Sequence, residues 1–436
     1  MIVMKKSIKS ISLVVVMMAF CLQLTAQVQK AKTGVFALTN ASIQTVTNGV
    51  INNGTIILSG GKITDIGTNV TVPQGAITID CKGLWIYPGA IDGGTKVGLL
   101  EFGQVEVASD QADEGEIIPQ MRALTAVNPN TPIIPVTRVS GVTTVIVYPN
   151  GGLMPGTASL MDLHGYVPDQ MYAGFDGVVI NFPNTGRRGF FDRRTDEELK
   201  KGADKALATL NDTWDKAIQY HKIDSASKGK SSKYYPELQA LLPAVRGERP
   251  LMIEANAAKD IQAALKWIKD RKIKKAILTG CAEGWRVADE IAKANVPVIT
   301  GPVLALPSRD SDRYDKAYAN PGLMKKAGVK VALRTADAEN VRNLFYNAGF
   351  AAAYGMGKED ALKAITITTA EIFGVQDKMG SLEKGKNATL FICDGDPFET
   401  KTQVKHVFID GWQMPMNTRQ TDLYEEFLKR EPGITK

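Results

Sequence analysis

Residues 83–98 read GLWIYPGAIDGGTKVG. Inside this stretch Ile86–Asp92 is a short apolar run with the character of a buried strand, and it leads into Gly93-Gly94-Thr95-Lys96. Five more runs of the same kind follow it: Thr143–Tyr148, Leu251–Ala255, Lys275–Leu278, Val296–Thr300 and Lys330–Arg334. Helical patterns at Ala257–Lys269, Trp285–Ala294 and Val341–Tyr354 separate several of them. Such alternation argues for parallel βα units in an α/β protein. Composition alone does not choose between a closed barrel and an open sheet. The length suits a closed (β/α)8 TIM barrel, which would put an active site at the C-terminal ends of its strands.

On either side of this region the pattern changes. Between Thr33 and Ile86, the runs Val35–Leu38, Gly54–Leu58, Lys62–Ile66 and Ala76–Asp80 alternate in part, and Asn52-Asn53-Gly54, Gly60-Gly61 and Pro73-Gln74-Gly75 punctuate them. Near the other end, Thr389–Cys393 and Val404–Ile409 read as strands within residues 380–414. Two strands alone are marginally stable, so the C-terminal pair is expected to join the N-terminal set in one composite β-sandwich domain. The expected organisation is therefore residues 33–86 plus 380–414 as a small β domain, residues 87–379 as the barrel, and 415–436 as a tail. Within the barrel, residues 187–249 read as a helical insertion. There Leu207, Leu210 and Trp214 form one apolar stripe on a charged helix, and Ser225–Lys233 is a Ser/Lys-rich surface segment.

The chain has 436 residues, 44% of them apolar and 22% charged, as in an ordinary globular protein. Residues 1–26 carry Lys5, Lys6 and Lys9, then the nearly unbroken apolar run Ile11–Phe20, then Leu24-Thr25-Ala26 before Gln27. This reads as a secretory signal peptide, with export to the periplasm or cell surface; an uncleaved anchor, or a lipid anchor at Cys21, are the competing readings. Without the leader the formal charge falls from +6 to +3, which gives no basis for nucleic-acid binding. No membrane span is expected after cleavage. The remaining cysteines, Cys81, Cys281 and Cys393, are far apart and make neither a disulfide framework nor a zinc motif.

Four stretches carry a family resemblance by their order and spacing. They are SGVTTVIVYPN (140–150), LQALLPAVRGERP (238–250), AEGWRVADEIAKANVPVITGPV (282–303) and ALKAITITTAEIFGVQDKMGSLEKGKNATLFICDGDPF (361–398). From about Gly34 to Met414 the chain resembles the imidazolonepropionase-like branch of the amidohydrolase superfamily. Pro88, Gly89, Ile91 and Asp92 match the superfamily frame PG-x-ID-x-H-x-H, whose two histidines bind a catalytic metal. Here Gly94 and Lys96 stand at the histidine positions. The resemblance places the third histidine at Asn256, within Glu254-Ala255-Asn256-Ala257, and the fourth near Gly280. It places the strand-eight aspartate at Asp337, or at Ala336 after a shift of one residue. The chain's three histidines, His164, His221 and His406, fall at none of these positions.

The resemblance implies a fold that hydrolyses C–N bonds in cyclic amides, while the missing imidazoles argue against zinc chemistry. The candidate pocket residues are Lys96, Glu254, Asn256 and Asp337. Lys96 is expected to pair with Glu254, and with Asp337 if that side chain faces inward, in place of a metal's charge; Asp92 would lie near the rim. GGLMPGTAS (151–159) is read as a βα loop at the pocket rim. No cofactor is expected. The function expected is that of a pseudoenzyme that binds a small polar ligand or serves as an assembly subunit. It would form a homo-oligomer or pair with a metal-competent homologue. The alternative is a hydrolase of non-peptide C–N bonds with an atypical site.

Overall fold

The computed structural model of the protein describes residues 30–101, 105, 109–186, 193–227 and 233–430. The expected signal peptide lies outside the described residues, as do parts of the Ser/Lys-rich segment and of the tail. No helix among the described residues is long and apolar enough to cross a membrane.

The two β-rich ends meet in one eight-stranded sheet. Its N-terminal strands are β1 (Phe36–Gln44), β2 (Val50–Ser59), β3 (Lys62–Gly67), β4 (Ile77–Asp80) and β5 (Trp85–Pro88). Its C-terminal strands are β14 (Leu390–Cys393), β15 (Val404–Ile409) and β16 (Trp412–Gln413). The join is β5 against β14, antiparallel, with Leu390 opposite Pro88 and Cys393 opposite Trp85. Phe36, Leu38, Ile56 and Ile86 from one end pack with Leu390, Ile392 and Phe408 from the other, all fully buried. Neither end could bury these side chains alone, which is why the chain's ends come together.

The second sheet also has eight strands: β6 (Ala90–Thr95), β7 (Val142–Val147), β8 (Gly156–Asp162), β9 (Tyr172–Asn181), β10 (Leu251–Ala255), β11 (Ala276–Gly280), β12 (Val298–Thr300) and β13 (Val331–Leu333). They lie in chain order, and the last strand returns to the first. Ala336 N donates to Gly94 O at 2.9 Å and Lys96 N donates to Asp337 O at 3.0 Å, closing the seam beyond the strand ends. Two strands, β8 and β9, were not among the six runs seen in the sequence. Strand β8 runs antiparallel to both neighbours, so one βα unit is replaced by a meander. The GGLMPGTAS segment is accordingly a correction: Gly156–Ser159 belongs to β8, and only its first residues form the rim.

Strand alternation explains the barrel's filling. Ile91, Ile146, Val179, Met252, Ile277, Ile299 and Ala332, one from each of seven strands, form a buried apolar layer with Ala158 and Leu160 of β8. Opposite faces of the same strands pack outward on helices such as Ala258–Asp270 through Ile261, Ala264 and Leu265. The segment read as an insertion is a long helix, Asp196–Ala226, followed by Pro236–Arg246. Leu210 and Trp214 of the expected stripe are buried and Leu207 is partly so. Cys81, Cys281 and Cys393 are buried free thiols.

Candidate functional site

A strand's side chains repeat every second residue on one face. Two residues beyond the apolar layer, the same face therefore presents Gly93, Tyr148, Asn181, Glu254, Thr279, Gly301 and Arg334 at the C-terminal mouth. All but Gly301 line a small cavity of about 120 Å³ that also includes Lys96 and Asn150. A polar cavity of about 610 Å³ adjoins it and shares Asn150, Asn181 and Glu254. A third, of about 220 Å³, reaches Glu254 and Arg334 from the side of the loop after β12.

Glu254 and Arg334 form the centre of this mouth. Arg334 Nη1 donates to Glu254 Oε2 at 2.8 Å and Nη2 donates to Oε1 at 2.7 Å, a bidentate pair. Thr279 Oγ1 donates to Oε2 at 2.7 Å and Asn256 Nδ2 to Oε1 at 3.0 Å. The Arg334 side chain is only 7% exposed and that of Glu254 24%. Burial by itself would push the Glu254 carboxyl up, but the guanidinium and these hydrogen bonds overcome it and hold the group at about 2. For Arg334, burial works against the charge and Glu254 more than restores it. The Tyr148 ring centroid lies 5.6 Å from the guanidinium carbon, and burial keeps the phenol protonated.

This arrangement corrects the expected ion pair. Glu254 is paired with Arg334, and among the described residues no carboxylate lies within ion-pair distance of Lys96. Asp337 is corrected as well. Its carboxylate accepts from Glu339 N at 2.8 Å and Asn340 N at 3.0 Å, capping the turn that starts at Asn340, and it lines none of the three cavities. Asp92 is no rim residue: it is fully buried on the other face of β6 from Ile91. It accepts from Thr335 Oγ1 at 2.6 Å, Thr335 N at 3.1 Å and Gly94 N at 3.0 Å. Burial raises its carboxyl to about 7 against the pull of those donors. Asp92 thus ties the first strand to the last. Lys96 and Glu254 line the same small cavity, and Asn256 hydrogen-bonds Glu254 from the adjoining ones.

Two glycines make this arrangement sterically feasible. A Cβ on Gly94 would sit 3.2 Å from both Arg334 Cδ and Tyr148 Cε1. A Cβ on Gly280, where φ is +81°, would fall 2.5 Å from Glu254 Oε1 and overlap Asn256 Oδ1 as well. At Gly280 histidine does not fit while the Glu254–Arg334 pair stands, and at Gly94 any side chain would crowd Arg334 and Tyr148. The donor set does not suit a hydrolytic zinc: two positions offer no side chain, Lys96 offers an amine in place of an imidazole, and the carboxylate is saturated by four donors. Among the described residues no group of three or more His, Cys, Asp or Glu is placed to hold a metal ion. The three histidines lie elsewhere: His164 against Trp412 at 5.5 Å, His406 beside Gln413 and His221 beside Ser225.

The sequence model of the amidohydrolase family matches residues 140–414. The chain belongs to the amidohydrolase family. This amidohydrolase-family chain is 22% identical over 418 residues to an imidazolonepropionase of Mesorhizobium japonicum, covering 83% of this chain and 93% of that protein. Among solved structures it resembles an amidohydrolase from Thermotoga maritima MSB8, with a TM-score of 0.77 at 23% identity, covering 87% of this chain and 99% of that one. It also resembles molinate hydrolase, with a TM-score of 0.56 at 16% identity, covering 88% and 95%. At such identities the structural likeness concerns the fold of this amidohydrolase-family protein and not its chemistry.

Tyr148, Thr279, Asn181 and above all Arg334 were missed by sequence reasoning. The signal for Arg334 was present: it ends the run Lys330–Arg334 and shares a pleat face with Ala332.

Proposed function

We propose that this protein is an exported amidohydrolase-family member that binds a small polar molecule at the barrel mouth and does not perform metal-dependent C–N hydrolysis. The observation that carries this reading is the bidentate Glu254–Arg334 pair, standing where a side chain at Gly280 would collide with Glu254 and one at Gly94 would crowd Arg334. A guanidinium here supplies the positive charge that a metal supplies in hydrolytic relatives, but it cannot lower the pKa of a bound water as zinc does. The mouth is polar and preformed, with amide groups from Asn150, Asn181 and Asn256 around one ion pair. Such a surface suits recognition of a hydrogen-bonding ligand. The basic, apolar and small-residue order of Met1–Ala26 supports export. Assembly as a homo-oligomer, or with a metal-competent homologue, is part of the same proposal.

The test is purification without chelator, elemental analysis, zinc titration by calorimetry, and assay against a panel of cyclic amides and imidazolones. The expected result is substoichiometric metal, zinc affinity no tighter than micromolar, and no turnover. Stoichiometric zinc, with turnover abolished by chelation and restored by zinc, would overturn the reading in favour of an atypical hydrolase.

A further inference from the structure

The small chamber of the mouth is lined by two basic side chains, Lys96 and Arg334, and its carboxylate, Glu254, is committed to one of them. Glu254 accepts from Arg334 twice and from Thr279 and Asn256 once each. Asp337 is occupied by the turn it caps. Lys96 is therefore the half-buried cation without an ion-pair partner among the described residues. Its ammonium form is disfavoured first by burial and next by the neighbouring Arg334 guanidinium, with Asp337 and Glu254 only partly compensating. A desolvated amine beside a fixed cation is the setting in which lysine acts as a nucleophile.

Cavity shape limits what such an amine could meet. Its chamber of about 120 Å³ corresponds to roughly four water volumes at about 30 Å³ each, enough for a carbonyl and one or two further carbons. Asn150, Asn181 and Glu254 form the passage into the cavity of about 610 Å³. There Asn184, Asn256 and Asp260 offer amides and a carboxylate, groups that match hydroxyls.

We propose that Lys96 is an imine-forming lysine that captures the carbonyl group of a small hydroxylated aldehyde or ketone, whose remainder lies in the larger cavity. This rests on the metal-free reading of the mouth given above. In the step itself, Nζ as free amine adds to the carbonyl carbon, forming a C–N bond. One amine hydrogen passes to the former carbonyl oxygen, giving a carbinolamine. That hydroxyl leaves with the second amine hydrogen as water, and a C=N bond remains. Tyr148, which keeps its phenolic proton in the same chamber, is placed to hydrogen-bond the oxygen as it departs.

The experiment uses the purified full-length chain, DL-glyceraldehyde and sodium cyanoborohydride at pH 7, followed by peptide mass mapping. Hydride addition to the imine carbon traps the adduct as a secondary amine, whose mass gain equals glyceraldehyde less one oxygen. Lys96 is expected to be labelled at least tenfold faster than the exposed Lys216 and Lys266. Its labelling should also saturate at a lower pH than theirs. Lys96→Arg should abolish the fast adduct and leave the slow surface labelling unchanged. Labelling of Lys96 no faster than Lys216 and Lys266 overturns the proposal. Zinc titration of the same preparation separates the two failures. A slow Lys96 in protein that takes up no zinc defeats the imine alone. A slow Lys96 in protein that binds one zinc defeats the metal-free reading with it.

Discussion

At the residue scale, the Glu254–Arg334 pair replaces a metal shell with a cation built into the chain. Removing one partner leaves a charge desolvated, whereas removing both leaves none. Arg334→Met is therefore expected to destabilise the fold by about 3–5 kcal/mol, and adding Glu254→Gln should recover part of that loss, because the two side chains act as a unit. Denaturant titration of both single variants and the double variant checks this. The pH dependence follows from the same pair. The carboxyl of Glu254 is held below its unfolded value, so the stability it contributes is complete above about pH 4.5 and is lost as pH falls through about 2. Acid unfolding of Glu254→Gln should lack that component. Lys96→Met, by contrast, is expected to change stability by less than about 1 kcal/mol, since no ion pair is broken. A larger loss in denaturant titration would mean that Lys96 has a charged partner after all. Gly280→Ala places a Cβ against Glu254 at positive φ and should cost about 1–3 kcal/mol.

At the element scale, the strands act through their period of two. Each strand but β8, which runs the opposite way, contributes one apolar side chain to the barrel's filling and, two residues later, one polar or small residue to its mouth. This is why a site made from many strands is nonetheless one layer. A second device joins elements away from the mouth. Asp162 at the end of β8 accepts from Thr144 Oγ1 at 2.7 Å and faces the Asp410 carboxyl in the turn between β15 and β16. Asn387, Lys62 and Thr389 support the Asp410 carboxylate from the small domain. Burial and then the Asp410 charge push Asp162 up to about 8. A carboxyl raised in the folded state contributes stability that is complete below its unfolded value of 3.8 and is lost as pH rises through about 8. Stability of the native protein should therefore decline from pH 5 to pH 8.5. Asp162→Asn should flatten that decline and be the more stable protein at pH 8.5 by about 1–3 kcal/mol. Thermal melts across that range, with equal slopes for the two proteins as the contrary outcome, decide it.

For the whole molecule, the small domain is built from sequence that the barrel separates. Deleting residues 390–436 would strip β14 from β5 and uncover Phe36 and Ile86. The expected product is insoluble or unfolds without cooperativity, whereas removing only residues 415–436 should leave a cooperative transition. Circular dichroism melts of the two truncations check this. Sequence by itself determined the outline: the βα alternation, the two β-rich ends and the frame at Pro88, Gly89, Ile91 and Asp92 are local patterns, and local patterns are what periodicity and motif spacing record. It also determined that Gly94, Lys96, Asn256 and Gly280 offer no imidazole. Strands β8 and β9 were less legible. Gly156–Asp162 is short and buried along its whole length, and neither length nor period distinguishes a reversed strand from a parallel one. Only the tertiary structure decided which cation meets Glu254. Lys96 and Arg334 are equally plausible partners along the chain, at 158 and 80 residues' remove. The choice rests on barrel closure, on the pleat phase at the end of β13, and on the space left by Gly94 for the Arg334 side chain. A planar guanidinium reaching across the mouth satisfies both carboxylate oxygens at once. The lysine on the adjacent turn is left without a partner.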